Sequence, residues 1–316
     1  MTAILGIGIH IPKERRESAA AFSDLPAGFL EGKIGTARVT RKKPDEDTSD
    51  LCCASFAELQ RKVHVPLDRI GCVVVVTQNP DGQGLPHTAA AVHDKIGAPK
   101  SAATFDLSQG CAGYVYGLSV VGAFLTSQRA DLGLLFTCDP YSKIVEPTDR
   151  DTALLFGDGA SATLIAPARA DSNWVARGFR FQSLTQERRS LENRSGKLHM
   201  NGRAIFNFAA TVVPAEVTAV LAANALSTSD IDRYLFHQGS RYIVDTLARR
   251  LNLPAASVPH KLHDIGNTVS SSIPIMLEDL LDTPNIDRIL LCGFGVGLSV
   301  ATCLVERATN KATKER

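Results

Sequence analysis

The sequence predicts an α/β protein made of two repeated halves, 1–168 and 169–316. Three observations carry that expectation. The 316 residues exceed the usual size of a single hydrophobic core. Strand-like apolar runs alternate with helical patterns along the chain, the grammar of buried, partly parallel strands joined by helices. The order of those elements then recurs in the second half.

The first element is the run MTAILGIGIHIP at the N-terminus. Its apolar stretch is far too short to span a bilayer and no basic region precedes it, so it reads as a strand and not as a signal peptide. Residues 72–77 (CVVVVT) form the next clear strand, 112–125 a helix and 132–137 a strand. In the second half 211–226 reads as a helix, and 234–236 and 289–292 as strands. No long linker or low-complexity tract interrupts the pattern, and the basic tail after Glu306 is expected to fray.

The repeat is visible in three segments. LDRIGCVVVVTQ, from Leu67, is echoed by IDRYLFHQGS, from Ile231. GCAGYVYGLSVVGAFL, from Gly110, is echoed by GNTVSSSIPIMLEDLL, from Gly266, and ADLGLLFTCD, from Ala130, by NIDRILLCGF, from Asn285. Cys111 and Asn267 stand 156 positions apart, as do Asp131 and Asp287, while Asp68 and Asp232 stand 164 apart. A slightly longer connection in the first half accounts for the difference.

The chemical consequence is a shared centre. Under pseudo-two-fold symmetry Cys111 and Asn267 occupy equivalent helix N-termini. His237, between the strand YLF and the helix RYIVDTLARRL, points to the same place. Unpaired N–H groups and partial positive charge at a helix N-terminus favour a thiolate and can hold an oxyanion. Taken singly, Cys111 could be a small buried hydrophobe, His237 a structural residue and Asn267 a turn former.

Composition narrows the classes. With 44% hydrophobic and 21% charged residues the chain is an ordinary globular one, and a net charge of +1 gives no global case for nucleic acid. Seven cysteines, at 52, 53, 72, 111, 138, 292 and 303, include no CxxC and no Cys/His group at metal-ligand spacing. Neither zinc nor a disulfide framework is expected, and several cysteines lie in apolar runs, as core thiols do in a reducing cytoplasm.

The motifs DLSQGCAGYVYGL, EPTDRDTALLFGDGASATLI, LHMNGRAIFNFA, LFHQGSRYIVDTLARRL, DIGNT and GFGVGLSVAT, in this order, resemble the β-ketoacyl-acyl-carrier-protein synthase III family. The resemblance covers nearly the whole chain. It implies a thiolase-like fold, two pseudo-symmetric halves in a five-layered αβαβα arrangement, with a Cys, His, Asn triad. By that resemblance Cys111 accepts an acyl group from an acyl-coenzyme A thioester. His237 and Asn267 bind the thioester carbonyl of a malonyl group on an acyl carrier protein, and decarboxylative condensation gives a 3-oxoacyl thioester. The backbone N–H groups of Cys111 and Val296 correspond to an oxyanion hole. Phe294 is implied to keep the site dry. Leu85 is implied to reach the acyl pocket of a second subunit in a homodimer, and Phe206 to shape that pocket. Lys33 and Arg150 match basic positions for the nucleotide phosphates, and Arg203 stands where the family often has Asn. Arg241, Arg249 and Arg250 make a candidate docking patch for an acidic carrier protein. No cofactor is implied beyond coenzyme A as part of the substrate.

Three departures point to a specialised relative. HQGS places Ser240 where the family often has Asn, Phe29 stands where many members clamp adenine with Trp, and SQG precedes the nucleophile in place of a run of small residues. Two other activities stay open at this point. One is acyl transfer without decarboxylation to an oxygen or nitrogen nucleophile, with His237 as general base. The other is a non-catalytic partner subunit that keeps the fold for binding.

Overall fold

The computed structural model describes residues 1–18, 22, 24–26 and 28–308. The basic tail at 309–316 lies outside the described residues. Nine strands form one hydrogen-bonded sheet: β1 (Thr2–His10), β2 (Ile70–Val76), β3 (Ala103–Leu107), β4 (Leu132–Cys138), β5 (Ala160–Pro167), β6 (Trp174–Ser183), β7 (Arg233–Phe236), β8 (Arg288–Gly295) and β9 (Ser299–Arg307). Their order is β7-β8-β9-β6-β1-β5-β4-β2-β3.

The repeat appears in that order. The antiparallel pair β1/β6 is the seam, with Thr2 opposite Ala176 and Ile4 opposite Trp174. Outward from the seam, β1 is followed by β5, β4, β2 and β3, and β6 by β9, β8 and β7. The directions match as well: β1/β5 and β6/β9 are antiparallel, as are β5/β4 and β9/β8, and β4/β2 and β8/β7 are parallel. The second half has no named counterpart of β3, which pairs parallel with β2.

Helices fill three layers around the sheet's two wings. Helices α1 (Thr48–Lys62) and α2 (Thr88–Ile96) cover the outside of the first wing, α1 on β1, β4 and β5 and α2 on β2 and β3. Between the wings lie α3 (Gly113–Gln128), which touches β2, β4, β5 and β1 on one side and β8, β9 and β6 on the other, and α6 (Ser272–Glu278). Outside the second wing α4 (Gly202–Ala223) packs on β6, β8 and β9 with α5 (Arg241–Arg250) beside it. Five layers result. The middle helix explains its own sequence: a helix sandwiched between sheets must be apolar nearly all round, and Tyr114, Val115, Leu118, Val121 and Leu125 are all fully buried. Gly113 lets it approach the first wing, since a Cβ there would stand 2.3 Å from a methyl of Val76.

Element boundaries differ from the sequence reading in one place of consequence. The helix expected at 211–226 begins at Gly202, because Asn201 caps it by accepting from the N–H of Ala204 and because Ile205 and Phe208 extend its buried face. This helix is long and apolar enough to span a bilayer by length and composition, yet Val213, Val217 and Val220 are fully buried against the protein.

Candidate active site

The site lies where the C-terminal ends of the strands meet the starts of the two central helices. β8 is its spine. The N–H of His237, just past β7, donates to the carbonyl of Cys292 at 2.8 Å. The His237 ring then meets Phe294 edge-on, with centroids 5.5 Å apart. One residue on, a Cβ at Gly295 would stand 2.6 Å from Sγ of Cys111. The same strand therefore touches both the histidine and the thiol, and only glycine fits beside the sulfur, where φ is +150°.

Cys111 sits in the turn that opens α3, where Gly113 N–H donates to the Gly110 carbonyl at 2.7 Å. Its side chain is 4% exposed. Burial pushes the thiol up to about 12, opposed by contacts with the backbone N–H of Val296 and its own N–H, while Asp139 pushes it further up. This corrects the expectation that the helix start stabilises a resting thiolate. Complete desolvation outweighs the helix terminus. The two N–H groups named from the sequence as an oxyanion hole are nonetheless those that face the sulfur.

The second half supplies two nitrogen atoms. Asn267 Oδ1 accepts from the N–H of Val269 at 2.8 Å, which turns its amide nitrogen outward. That nitrogen lies 3.4 Å from Nε2 of His237. The turn is strained, with the β-branched Val269 at φ +53°. Nδ1 of His237 lies 2.8 Å from Oγ of Ser272. Burial holds the imidazole down at about 3, with a backbone contact to Val269 acting in the opposite sense, so the ring is neutral at any ordinary pH. Asn267 precedes a 3-10 turn (Val269–Ser271) that leads into α6, so it stands before the helix and not on its first turn.

Other residues reach the site without having been named from the sequence. Asp139 is fully buried and accepts from the N–H of Gln78 at 2.7 Å and the hydroxyl of Ser270 at 2.6 Å, tying the two halves together. Burial pushes its carboxyl up to about 6, against those hydrogen bonds. Tyr141 is 2% exposed, packs at a tilt against Phe156 with centroids 4.8 Å apart and donates to Gln78 Oε1 at 3.4 Å. Burial raises its hydroxyl well above the usual value, and the neighbouring Asp139 and Cys111 add to that.

The remaining sequence-named residues make their contacts apart from this cluster. Phe29 is half-buried, with the exposed Lys33 ammonium 5.9 Å from its ring centroid. Arg150 is exposed but engaged, pairing with Asp24 at 2.7 Å and lying 5.8 Å from the Phe22 ring centroid. Phe206 stacks on Tyr242 at 5.1 Å, and Arg203 one turn earlier is exposed. Leu85 projects from the connection between β2 and α2 and is 95% exposed. The three arginines of α5 divide. Arg241 packs over Gly35 and pairs with Asp245 at 3.6 Å, whereas Arg249 and Arg250 lie at the far end, about 12 Å along the helix axis. Among the described residues no group of three His, Cys, Asp or Glu side chains could hold a metal.

Comparison with known proteins gives a consistent result. The model of the 3-oxoacyl-(acyl-carrier-protein) synthase III family matches residues 105–183, and that of its C-terminal region matches 221–307. A β-ketoacyl-(acyl-carrier-protein) synthase III of Streptococcus gordonii is 34% identical over 82% of this chain and 85% of its own length. The Lactococcus lactis protein of the same name is 32% identical over the same shares. The crystal structure of the Thermus thermophilus synthase III superposes with a TM-score of 0.89 at 29% identity, covering 96% of this chain and 98% of that one.

Proposed function

The chain belongs to the 3-oxoacyl-(acyl-carrier-protein) synthase III family, and from that premise we propose that it loads an acyl group from a coenzyme A thioester onto Cys111 and condenses it with a malonyl thioester on an acyl carrier protein. The observation that carries the reading is the meeting, at the end of β8, of a thiol flanked by two backbone N–H groups with a neutral His/Asn pair.

In the first step Sγ forms a bond to the donor carbonyl while the oxygen's growing charge is held by the N–H groups of Cys111 and Val296. The thiol proton leaves as that bond forms, and the C–S bond to coenzyme A breaks, so that coenzyme A departs as a thiol. In the second step the malonyl thioester loses carbon dioxide. The enolate oxygen accepts from Nε2 of His237 and Nδ2 of Asn267, whose 3.4 Å separation lets one oxygen meet both. Donation to the enolate uses the tautomer with the ring proton on Nε2; in it the Ser272 hydroxyl, 2.8 Å from Nδ1, turns from the Val269 carbonyl 3.0 Å away to donate to Nδ1. A neutral donor pair stabilises the enolate without supplying an acid that would quench it. The carbanion then attacks the acyl carbon, the new C–C bond replaces the bond to Sγ, and the thiol regains a proton.

Acyl transfer to an oxygen or nitrogen nucleophile fits less well, because a histidine held at about 3 is a weak base. Dimerisation belongs to the same proposal: β3 is an open sheet edge, and Leu85 points away from its own subunit. Lys33, Arg150 and Arg203 are proposed to meet the coenzyme and pantetheine phosphates, and Arg241, Arg249 and Arg250 the carrier protein. Mixing enzyme, acyl-coenzyme A and malonyl carrier protein should release one carbon dioxide per 3-oxoacyl product detected by mass spectrometry. Consumption of the donor without carbon dioxide release would sink condensation in favour of simple transfer.

A further inference from the structure

Beside the nucleophile loop lies a cleft of about 170 Å³ lined by the polar residues Gln78, Gln109, Ser183, Thr185 and Ser299 together with Val296 and Leu298. Two of its residues touch the turn that carries Cys111. Val296 provides the N–H that faces Cys111 Sγ. Gln78 places its Oε1 where a Cβ on Gly110, the residue before Cys111, would be 2.6 Å away. The same Oε1 accepts the Tyr141 hydroxyl at 3.4 Å, and Tyr141 is buried within the charge field of Cys111.

Gln78 thus stands against the residue before the nucleophile, and the Tyr141 hydroxyl is bonded to it. Among the described residues Gln78 Nε2 has no hydrogen-bond partner, although its backbone N–H is pinned to Asp139. The Tyr141 hydroxyl makes one long bond and retains its own acceptor capacity. An alkyl chain laid against this wall would strip water from the amide without replacing its hydrogen bonds, which is unfavourable. A chain with an oxygen atom would replace them.

Resting on the functional reading above, we propose that Gln78 and Tyr141 determine donor choice. The acyl group is short and carries a hydroxyl or carbonyl oxygen beyond the thioester carbon, and an unsubstituted alkanoyl chain is disfavoured. The cleft's small volume, about 170 Å³, suits a short acyl group.

The test compares donors of equal length. Wild-type enzyme is exposed separately to butyryl-, 3-hydroxybutyryl- and acetoacetyl-coenzyme A, and the rate of mass gain on Cys111 is followed by intact-protein mass spectrometry. The oxygen-bearing donors are expected to react about tenfold faster than butyryl, the worth of roughly one buried hydrogen bond. Gln78→Met and, separately, Tyr141→Phe should each move that ratio toward one, with melting temperatures checked to show that both variants fold. Equal or faster reaction with butyryl in the wild type overturns the proposal and leaves the acyl-enzyme reading standing. A preference that survives both substitutions overturns the assignment to these residues. No labelling by these donors or by acetyl- and octanoyl-coenzyme A overturns both.

Discussion

The two halves share a strand order and differ in how the central helix begins. In the first half the turn Gly110–Gly113 leads into a helix of 16 residues and leaves the N–H of Cys111 turned toward its own sulfur. In the second half Asn267 leads through a 3-10 turn into a helix of only 7 residues, and its side-chain oxygen is consumed by Val269. One half therefore presents a nucleophile with backbone donors, the other a pair of side-chain donors. A duplicated frame places two unlike sets of groups at one strand end. On the proposed function, acyl loading falls to the first half and enolate stabilisation to the second.

That division can be broken experimentally. The largest effect is expected from Asn267→Ala, which removes one of the two proposed enolate donors and should lower the condensation rate by about 10²- to 10³-fold in steady-state assays. Gly295→Ala attacks the first half instead. Its Cβ would press on Sγ, and acyl loading should fall on the order of 10²-fold, the expected result of moving a reacting atom by about 1 Å. Decarboxylation of the malonyl thioester should suffer less.

A third experiment sharpens the burial argument for His237. Its folded pKa lies below the unfolded value of 6.5, so the stability it contributes is present above 6.5. As pH falls from 6.5 toward 3 the unfolded chain takes up a proton that the folded chain refuses, at about 1.4 kcal/mol per pH unit. Thermal melts between pH 6.5 and 4.5 should show a steeper loss for wild type than for His237→Asn, and parallel curves would contradict the neutral buried ring. The smallest effect concerns the outer helix. Arg249→Glu with Arg250→Glu should raise KM for the carrier-bound malonyl substrate several-fold at low salt, with the difference shrinking as salt is added.

Much of this organisation is legible in the sequence because periodicity and spacing are local signals. The 156-residue offset pairs Cys111 with Asn267, and the structure sets both before the central helices. What the sequence leaves hidden depends on contacts between distant segments. Ser272 meets His237 across 35 positions, Tyr141 meets Gln78 across 63, and Asp139 meets Gln78 across 61 and Ser270 across 131. No local pattern marks such residues. The direction of the Cys111 shift was hidden for a related reason, since a helix N-terminus is visible in sequence and the depth of burial against β8 is not. The arginine patch looked continuous along the chain, but helix length separates Arg241 from Arg249 and Arg250.

The division of labour is tested most directly by trapping the acyl-enzyme in Asn267→Ala and Cys111→Ala side by side with wild type. Each is incubated with a reactive acyl-coenzyme A, and the intact mass is followed over time. The account expects one acyl group per chain on wild type and on Asn267→Ala at comparable rates, and none on Cys111→Ala. Labelling of Cys111→Ala, or loss of labelling in a folded Asn267→Ala, would contradict the separation of loading and enolate chemistry between the two halves.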